Sequence, residues 1–461
     1  MSRKGREWQK FAATRLAGLA VDSLFLLFAY FSSILLRFDL HIPHWGIRAV
    51  MSAFLVVWVV HIAALSLAGC YRLSWRLTRI NDIPRYLVAA AAACVILTAL
   101  RFMLPVVRYA YIRPPYSVTL ISFVLSSVVL VGWRIIWSWL WVSGRRDDSI
   151  LSRNICRMND AGTVEFFRGK VVMVTGAGGS IGSEIVRQVA SFPVKSVLLV
   201  ERGENQLYEI DREMRSRQVS AQIVPLMKDI NDVEEMANIF SRYSPAIVIH
   251  AAAYKHVPMV EMNPDEGWRN NTGATQGLAD LAKRHGVERF VLVSTDKAVN
   301  PVSVMGKTKA AAEKAIMALN ADSGTSFCAV RFGNVLGSSG SVVPLFKELI
   351  SNRLPVTVTH PQMQRYFMTV SEAVGLVLQA AGRKEKAIYT LDMGSPVKIV
   401  DLAESLIRQA GLRPYVDIPI VFTGIRPGEK LFEELDVSEK SAYRTDMAKI
   451  YITRNDEKDI Y

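Results

Sequence analysis

The sequence predicts two parts of different fold class: an α-helical membrane domain with four transmembrane helices, followed by an α/β domain with a doubly wound parallel sheet and a small C-terminal lid. Four long apolar segments predict the first part. From Val171 onward, strand-like and helix-like runs alternate, which is typical of a parallel sheet with helices on both faces. A glycine-rich turn, TGAGGSIG, joins the first strand-like run to a helical pattern.

The apolar segments span residues 11–36, 48–70, 86–107 and 116–142, and each is long enough to cross a hydrocarbon core of about 30 Å. Lys and Arg residues collect in the N-terminal tail, in the second loop and after the fourth segment. By the positive-inside rule, we expect a multi-pass protein of the inner (cytoplasmic) membrane, with both ends and the α/β domain in the cytoplasm. The predicted parts are a membrane anchor at 1–142, a linker at 143–168 and the α/β domain at 169–461.

Charged residues lie within or near the ends of these segments. Arg15 and Asp22 are seven residues apart on one helix face, which favours a pair between them. Arg101 and Arg134 lie near segment ends, where long basic side chains reach the interface. Intramembrane charges can also mark a transport path, but these placements do not favour one.

Composition and charge exclude several classes of protein. A chain that is 51% hydrophobic is too apolar to be wholly soluble. The net charge of +13 comes without a basic run or a patch of interleaved aromatic residues, so we expect no nucleic acid partner. Anionic lipid of the bilayer and a nucleotide substrate explain the charge better. The four cysteines are scattered without metal-ligand spacing, so we expect inert thiols and no metal site.

The glycine-rich turn predicts a site for the phosphates of a dinucleotide. A backbone that approaches a pyrophosphate closely and donates its N–H groups has no room for Cβ atoms. The spacing is G-x-x-G-x-x-G, and the following helical pattern would place the phosphates at a helix N-terminus. The residues expected there are Gly176, Gly179, Ser180, Ile181 and Gly182.

Ligands of a doubly wound sheet lie beyond the carboxyl ends of the strands, so the residues after each strand are candidates. Glu201 ends the second strand-like run and can accept hydrogen bonds from a ribose, which favours NAD. The adjacent Arg202 could instead hold the 2′-phosphate of NADP. After the third and fourth strands, the residues expected at the cofactor are Asp229, Ile230, Ala251 and Ala253, with Lys255 directed toward the pocket and His250 structural.

The fifth strand ends in Thr295-Asp296-Lys297, and the next helix carries Met305 and Lys309 four residues apart. Short-chain dehydrogenases use Tyr-x-x-x-Lys, but Met305 stands at the tyrosine position and a thioether has no proton to exchange. Two interpretations follow: the domain only binds nucleotide, or another group does the acid–base chemistry. The hydroxyl, acid and base of the strand-end triplet favour the second.

Five motifs resemble one known family: TGAGGSIG, HAAAYKHVP, STDKAVNPVSVMGKTK, RFGNVLGSSGSVVP and RPGEKLFEEL. In this order, they are similar to the membrane-bound nucleotide-sugar 4,6-dehydratases of bacterial polysaccharide and glycan synthesis, a branch of the extended short-chain dehydrogenases with a Rossmann domain. The resemblance covers about residues 165–461. Larger members carry a further nucleotide-fold domain before the catalytic part, where this chain has only the predicted linker.

The resemblance implies an NAD-dependent enzyme that converts UDP-N-acetylglucosamine to its 4-keto-6-deoxy derivative, with the substrate held mainly by residues 334–461. It implies that Lys297 removes the C5 proton, Asp296 protonates the departing C6 hydroxyl and Thr295 contacts the C4 hydroxyl. Lys309 would hold the nicotinamide ribose, and Met305 would be a spacer against the sugar. The implied substrate contacts are Asn271, Asn334, Arg426 and Glu429, beside Lys255.

Two alternatives stay open from the sequence. A UDP-sugar 4-epimerase shares the fold and the substrate class but usually relies on the tyrosine that is missing here. A non-catalytic membrane scaffold or nucleotide sensor is favoured by Met305 and opposed by Thr295-Asp296-Lys297. A homo-oligomer is compatible with all three functions.

Overall fold

The computed structural model of the protein describes residues 3–41, 46–71, 83–103, 115–144, 161–435, 442–447 and 449–453. These residues divide into two compact units, one that contains the N-terminal helices and one that contains the α/β domain. The burial of side chains within the first unit is described for residues 18–41, 47–71, 83–103 and 115–136.

The N-terminal unit consists of long helices: α1 (Arg3–Arg37), α2 (Gly46–Leu67), α3 (Ile83–Met103) and α4 (Tyr116–Gly144). Within the described residues, four stretches are long and apolar enough to cross a membrane, and they confirm the four predicted segments: Gly18–Arg37, Ile47–Leu67, Ile83–Met103 and Tyr116–Ile136. Large apolar side chains such as Leu24, Leu55 and Val95 point outward from this unit. That arrangement suits a lipid environment, where outward-facing apolar surface is not penalised.

A buried ion pair joins the first and fourth helices. Arg134 Nη2 lies 2.6 Å from Asp22 Oδ2, and both side chains are fully buried. Arg134 also donates from Nη1 to the Leu130 carbonyl at 3.0 Å, and its guanidinium lies 4.5 Å from the Tyr86 ring centroid. The prediction that Arg134 reaches the interface is therefore wrong, and Asp22 takes its partner from another helix; the side chain of Arg15 lies outside the described residues.

We predict that Asp22→Leu destabilises this unit, because it leaves Arg134 as an uncompensated buried charge. Breaking a buried pair costs about 3–5 kcal/mol in soluble proteins and less between membrane helices. Thermal unfolding of the full chain in detergent measures the effect. The double change Asp22→Leu with Arg134→Leu should recover most of the loss, and Arg48→Leu, at an exposed arginine, should have little effect. A double variant no more stable than Asp22→Leu would contradict the pairing.

Helices occupy both ends of the predicted linker, residues 143–144 and 161–167. Helix α4 runs to Gly144, and α5 (Ala161–Phe167) leads directly into the sheet. Phe167 is fully buried and packs at 5.6 Å between ring centroids against Phe192. Residues 161–167 therefore belong to the α/β domain, and residues 145–160 lie outside the described residues.

The described strands of the α/β domain are β1 (Val171–Thr175), β2 (Ser196–Glu201), β3 (Gln222–Met227), β4 (Ile247–His250), β5 (Arg289–Val293), β6 (Ser326–Arg331), β7 (Asn334–Leu336), β8 (Val356–Val358), β9 (Gln364–Arg365), β10 (Phe367–Thr369), β11 (Ile388–Leu391), β12 (Val397–Lys398), β13 (Ile420–Phe422), β14 (Ala442–Arg444) and β15 (Ile450–Thr453). Nine of these described strands form one sheet of order β14-β15-β11-β6-β5-β4-β1-β2-β3. Its pairings are parallel except at one edge, where β15 runs antiparallel to β11 and β14 antiparallel to β15.

Helices cover both faces of this sheet, as the alternating pattern predicts. Because the central strands are buried on both faces, they are apolar throughout. Val172 and Val174 of β1 pack on one face with Ile185, whereas Met173 packs on the other with Phe240. The helices are α6 (Ser180–Ala190), α7 (Glu204–Ser216), α8 (Val233–Tyr243), α9 (Val257–Met262), α10 (Pro264–Trp268), α11 (Ala274–Arg284), α12 (Val304–Ala318), α13 (Val342–Ser351), α14 (Val370–Ala381) and α15 (Ile399–Gln409).

Strand order reverses at β1, which lies between β2 and β4. A crevice forms at such a switch point, at the carboxyl ends of the strands. After Gly333, the chain forms two-stranded pairings outside the main sheet, β7 with β10, β9 with β12 and β8 with β13. These short elements occupy the region where the sequence predicts the lid.

Candidate nucleotide and catalytic site

Three glycines of the turn after β1 have no room for a side chain: Gly176, Gly178 and Gly182. Gly176 has φ +66°, and a Cβ there would lie 2.8 Å from the Ala252 backbone. A Cβ on Gly182 would lie 1.9 Å from the Gly176 carbonyl oxygen. The turn therefore folds tightly against the N-terminus of α6, where free N–H groups and the helix dipole favour an anion. Ser180 begins α6, and its hydroxyl accepts a hydrogen bond from Ser339 N at 3.0 Å.

A cleft at the switch point brings most of the predicted cofactor residues together. The predicted residues that line it are Gly176, Gly179, Glu201, Arg202, Asp229, Ile230, Ala251 and Ala253. Ile181 lies outside this lining and packs against the hydrophobic core beneath the turn. Tyr254 and Asn270 also line the cleft and were not predicted. A glycine cradle, a helix N-terminus and a carboxylate at the end of β2 together fit a dinucleotide.

The end of β2 carries two groups with opposite charge. The Glu201 carboxylate accepts hydrogen bonds from Gly178 N at 3.1 Å and Gly203 N at 3.0 Å, which fix it beside the turn. The Arg202 guanidinium lies 4.8 Å from the Tyr254 ring centroid and 4.0 Å from Asp229 Oδ2. Burial acts to raise the pKa of Asp229, but hydrogen bonds from Asn231 and the charges of Arg202 and Arg269 together lower it. Asp229 is therefore an ionised acceptor at neutral pH.

The triplet after β5 forms one hydrogen-bonded group. Thr295 Oγ1 donates to Asp296 Oδ1 at 2.9 Å, and Lys297 Nζ donates to the same oxygen at 2.9 Å. Lys297 Nζ also donates to Asn334 Oδ1 at 3.2 Å, so strand β7 contributes to the group. Asp296 Oδ2 is buried and has no hydrogen-bond partner within the described part of the chain. Lys297 keeps 19% of its side chain exposed, and Asp296 only 1%.

The helix after the triplet buries both of its predicted residues. Lys309 Nζ donates to the Val293 carbonyl at 2.7 Å. Burial lowers the pKa of Lys309 to about 8, although Glu313, one turn further on, acts to raise it. Met305 is 3% exposed and packs with Val257 and Val260. The methionine thus lies in an apolar cluster, four residues before Lys309.

A second cleft lies between the triplet and the lid. Its lining includes three predicted residues, Lys297, Asn334 and Glu429. Arg426 is exposed on the lid loop and is not part of this lining. Lys255 donates to the Ser339 carbonyl at 2.6 Å and thereby contacts the loop after β7.

Asn271 is fully buried, in a π-helical turn at Arg269–Gly273. Its Oδ1 accepts from Tyr254 N at 2.8 Å, and its Nδ2 donates to Tyr254 O at 3.0 Å and to Thr308 Oγ1 at 3.1 Å. The Asn271 amide is therefore occupied by Tyr254 and Thr308, and Asn271 is not part of the second cleft's lining.

His250 is also fully buried. Its ring nitrogens pair with Thr175 Oγ1 at 2.7 Å and Thr275 Oγ1 at 2.8 Å. Burial lowers the pKa of His250 to about 3, with a further contribution from Lys309. The prediction that His250 is structural is confirmed, because both of its nitrogens are occupied and the ring stays neutral.

Three charged residues of the second cleft are not among the predicted ones: Arg365, Lys430 and Glu433. Lys430 and Glu433 belong to the motif RPGEKLFEEL, in which the family resemblance implies roles for Arg426 and Glu429 only. Arg365 comes from β9 and donates to the carbonyls of Gln364, Leu431 and Lys430. It thereby fastens the lid loop over the triplet, and no sequence pattern around it indicates this.

Residues 172–455 match the sequence family described as "Polysaccharide biosynthesis protein", which covers more than half of the chain. The chain belongs to this family. The match confirms the resemblance that the five motifs indicate. A probable polysaccharide biosynthesis protein, EpsC of Bacillus subtilis, is 50% identical over 291 residues, which are 62% of this chain and 48% of EpsC. The chain thus spans about half the length of that relative.

Two further similarities bear on the α/β domain of this polysaccharide biosynthesis family member. A protein of Campylobacter jejuni named UDP-N-acetylglucosamine 4,6-dehydratase (inverting) is 34% identical over 282 residues, 60% of this chain and 80% of that protein. The X-ray structure of Pen from Bacillus thuringiensis superimposes with a TM-score of 0.57 at 32% identity, covering 62% of this chain and 90% of Pen. Both similarities support the doubly wound fold.

We predict that Gly182→Ala abolishes dinucleotide binding, because the new Cβ would force the Gly176 carbonyl out of place and open the turn. Isothermal titration of the full chain with NAD measures the affinity. Gly324→Ala is the matched control, since a Cβ there meets nothing within 4 Å. Unchanged NAD affinity in Gly182→Ala would contradict the assignment of the turn to the phosphates.

Proposed function

We propose that this chain is an NAD-dependent nucleotide-sugar 4,6-dehydratase of bacterial surface polysaccharide or glycan synthesis. Its substrate would be UDP-N-acetylglucosamine and its product UDP-2-acetamido-2,6-dideoxy-4-keto-hexose. The observation that carries the proposal is the hydrogen-bonded group Thr295, Asp296 and Lys297, whose lysine lines the second cleft. Met305 stands where the Tyr-x-x-x-Lys pattern of other short-chain dehydrogenases has its tyrosine. The named Campylobacter relative supports the substrate.

NAD is the proposed cofactor, because a 2′-phosphate on the ribose would meet the fixed Glu201 carboxylate. Arg202 does not offset this, since it lies between the Tyr254 ring and Asp229. Bound NAD supplies an acceptor for the hydride from C4 and a donor of hydride to C6, so it ends the reaction unchanged. Lys309 would hold the nicotinamide ribose.

The remaining chemistry needs a proton acceptor at C4, a base at C5 and an acid at the C6 oxygen. Thr295 would contact the C4 hydroxyl and pass its proton to Asp296, because Thr295 Oγ1 already donates to Asp296. Lys297, the most exposed member of the three, would take the C5 proton. Asp296, 2.9 Å from Lys297, would then protonate the leaving C6 oxygen, as the family resemblance implies.

The lid would bind the substrate through Asn334 and Glu429, which line the second cleft. Arg426 is exposed on the same loop, and its planar donor fork suits a diphosphate that enters from solvent. Lys255, which lies before α9 and contacts the Ser339 carbonyl, would also bind the substrate. With the apolar helices in the inner membrane, this domain would face the cytoplasm, where nucleotide sugars are made.

Incubation of the purified full chain with UDP-N-acetylglucosamine, followed by mass spectrometry, tests the proposed function. A dehydratase removes one water from the nucleotide sugar. An epimerase leaves the mass unchanged and alters the sugar configuration, and a scaffold leaves the compound intact. Either of these last two results would contradict the proposal.

We predict that Lys297→Ala abolishes formation of the keto sugar while NAD stays bound, because Lys297 would be the C5 base and lines the second cleft, not the cofactor cleft. The rate should fall at least about 100-fold, as expected for loss of a general base. Lys384→Ala, at an exposed lysine, should be normal. Near-normal turnover of Lys297→Ala would remove this lysine from the mechanism.

We predict that a chain beginning at Asp160 is soluble without detergent and still dehydrates the nucleotide sugar. Both clefts and the whole sheet lie within residues 161–453, and α5 is retained. Size-exclusion chromatography and the mass assay are the measurements. A folded, NAD-loaded fragment that binds the substrate yet forms no keto sugar would show that the membrane helices take part in the reaction.

A further inference from the structure

Basic side chains collect at the amino ends of the parallel strands, on the side of the sheet opposite to the two clefts. The loops that enter these strands are joined along that side by hydrogen bonds. Lys195 N donates to the Lys170 carbonyl at 2.9 Å, and Glu288 N donates to the Ala246 carbonyl at 2.9 Å. Lys170 Nζ, before β1, lies 2.8 Å from Glu288, before β5. We call this surface the basic edge, and its cations are Arg168, Lys170, Lys195, Arg242, Lys283, Arg284, Arg383, Lys384 and Lys386.

Acidic side chains neutralise only part of the basic edge. Arg168, Lys170 and Arg383 form ion pairs with carboxylates. The loop before β6 differs from the others, because it carries the exposed Asp322. Among the described residues, no carboxylate pairs with the other six cations, Lys195, Arg242, Lys283, Arg284, Lys384 and Lys386.

The charge of the basic edge is a local excess within the α/β domain. From residue 161 onward, the sequence has 36 Lys and Arg residues and 35 Asp and Glu residues, so this part of the chain is almost neutral. The net charge of +13 therefore comes mainly from the residues before it. Segregation of charge to one side of a nearly neutral domain creates a field that attracts anionic partners to that side.

Helix dipoles account for some of these cations. Arg242 and Arg284 lie in the last turns of α8 and α11, where a cation offsets the negative end of the dipole. Lys195, Lys384 and Lys386 lie in loops beyond the helix ends and are exposed. The dipole effect falls off within the last turn, so it does not explain these three lysines.

The chain also enters the α/β domain at the basic edge. Helix α5 ends at Phe167, just before β1, and Phe167 packs against Phe192 in the loop before β2. Only residues 145–160 separate α5 from α4, which contains the membrane-capable stretch Tyr116–Ile136. A segment of this length reaches at most about 60 Å. Such a tether keeps the domain at a high effective concentration near a bilayer, so contacts that are weak singly can act together.

We propose that the basic edge is a binding surface for the anionic headgroups of a phospholipid bilayer. Its exposed lysines would contact lipid phosphates, and the negative surface potential of the cytoplasmic leaflet would attract the remaining cations. Both clefts lie at the carboxyl ends of the strands, so this contact would leave them open to water. A soluble nucleotide could then enter and leave while the domain stays bound to lipid. The surface is separate from the proposed reaction and does not depend on it.

Hydrogen exchange of the full chain in lipid nanodiscs tests this surface. One set of discs contains phosphatidylcholine alone, and the other an equal mixture with anionic phosphatidylglycerol. Peptides that cover residues 191–195 and 382–387 should exchange more slowly in the anionic discs, whereas residues 337–341, beside the clefts, should not change. Raising the salt from about 0.1 M to about 1 M shortens the screening length from about 10 Å to about 3 Å and should remove the difference. Equal exchange in both kinds of disc would overturn the proposal.

The variant Lys195→Glu with Arg284→Glu and Lys384→Glu should lose this protection in anionic discs. Each cation near anionic lipid is worth about fivefold in affinity, so three together are worth about 100-fold. The matched control places the same change at exposed lysines outside the basic edge, Lys307→Glu with Lys347→Glu and Lys398→Glu, and should keep the protection. Protection that survives in the first variant, or that the control also loses, would contradict the assignment.

If circular dichroism shows that the first variant is unfolded, Lys195→Gln with Lys384→Gln decides. This variant removes two charges without introducing new ones and should weaken the contact about 20-fold. Unchanged protection in that folded variant would overturn the proposal. Protection of the basic edge by added RNA in neutral discs, without protection in anionic discs, would assign the surface to nucleic acid and overturn it as well.

Discussion

The ion pair between Lys297 and Asp296 at the end of β5 is the contact on which the candidate site depends. The Lys297 amine, on a side chain that is partly exposed, lies 2.9 Å from the buried Asp296 carboxylate. Asn334, on the lid side, accepts a hydrogen bond from the same amine. Strand β5 pairs with β4, and the residues that follow β4 line the cofactor cleft. Arg365 donates a hydrogen bond to the Lys430 carbonyl of the lid loop and lies 3.6 Å from Glu433, which holds the lid loop beside Lys297.

Much of the fold could be predicted because it depends on local pattern. Apolar runs of strand length, helical periodicity and the glycine turn each carry their signal within a few residues. The pairing of Asp22 with Arg134 could not be predicted, since the two residues are 112 positions apart and helix periodicity says nothing about which helix is the neighbour. Helix α5 was missed because seven residues are too few to show a period.

Candidate site residues could be predicted where the chemistry restricts the residue type. The prediction failed where packing decides the direction of a side chain. Glycines of the turn and the Thr295-Asp296-Lys297 triplet follow from chemistry that needs those residues at a strand end. Asn271 matched a motif, yet its side-chain amide forms hydrogen bonds with the Tyr254 backbone. The sequence cannot show to which side of a cleft wall a side chain points. Glu433 was overlooked because an acid beside Glu434 on a lid loop looks like a surface residue, and only the folded lid buries it.

The central claim is that Thr295, Asp296 and Lys297, with one bound dinucleotide, carry out oxidation at C4, elimination across C5 and C6, and reduction at C6 on the same sugar. The most direct measurement uses UDP-N-acetylglucosamine with deuterium at C4, in ordinary water, with the product analysed by mass spectrometry and NMR. The account predicts a keto sugar that has lost one water and carries the deuterium on its C6 methyl group. A product that keeps deuterium at C4, or a keto sugar without deuterium at C6, would contradict it.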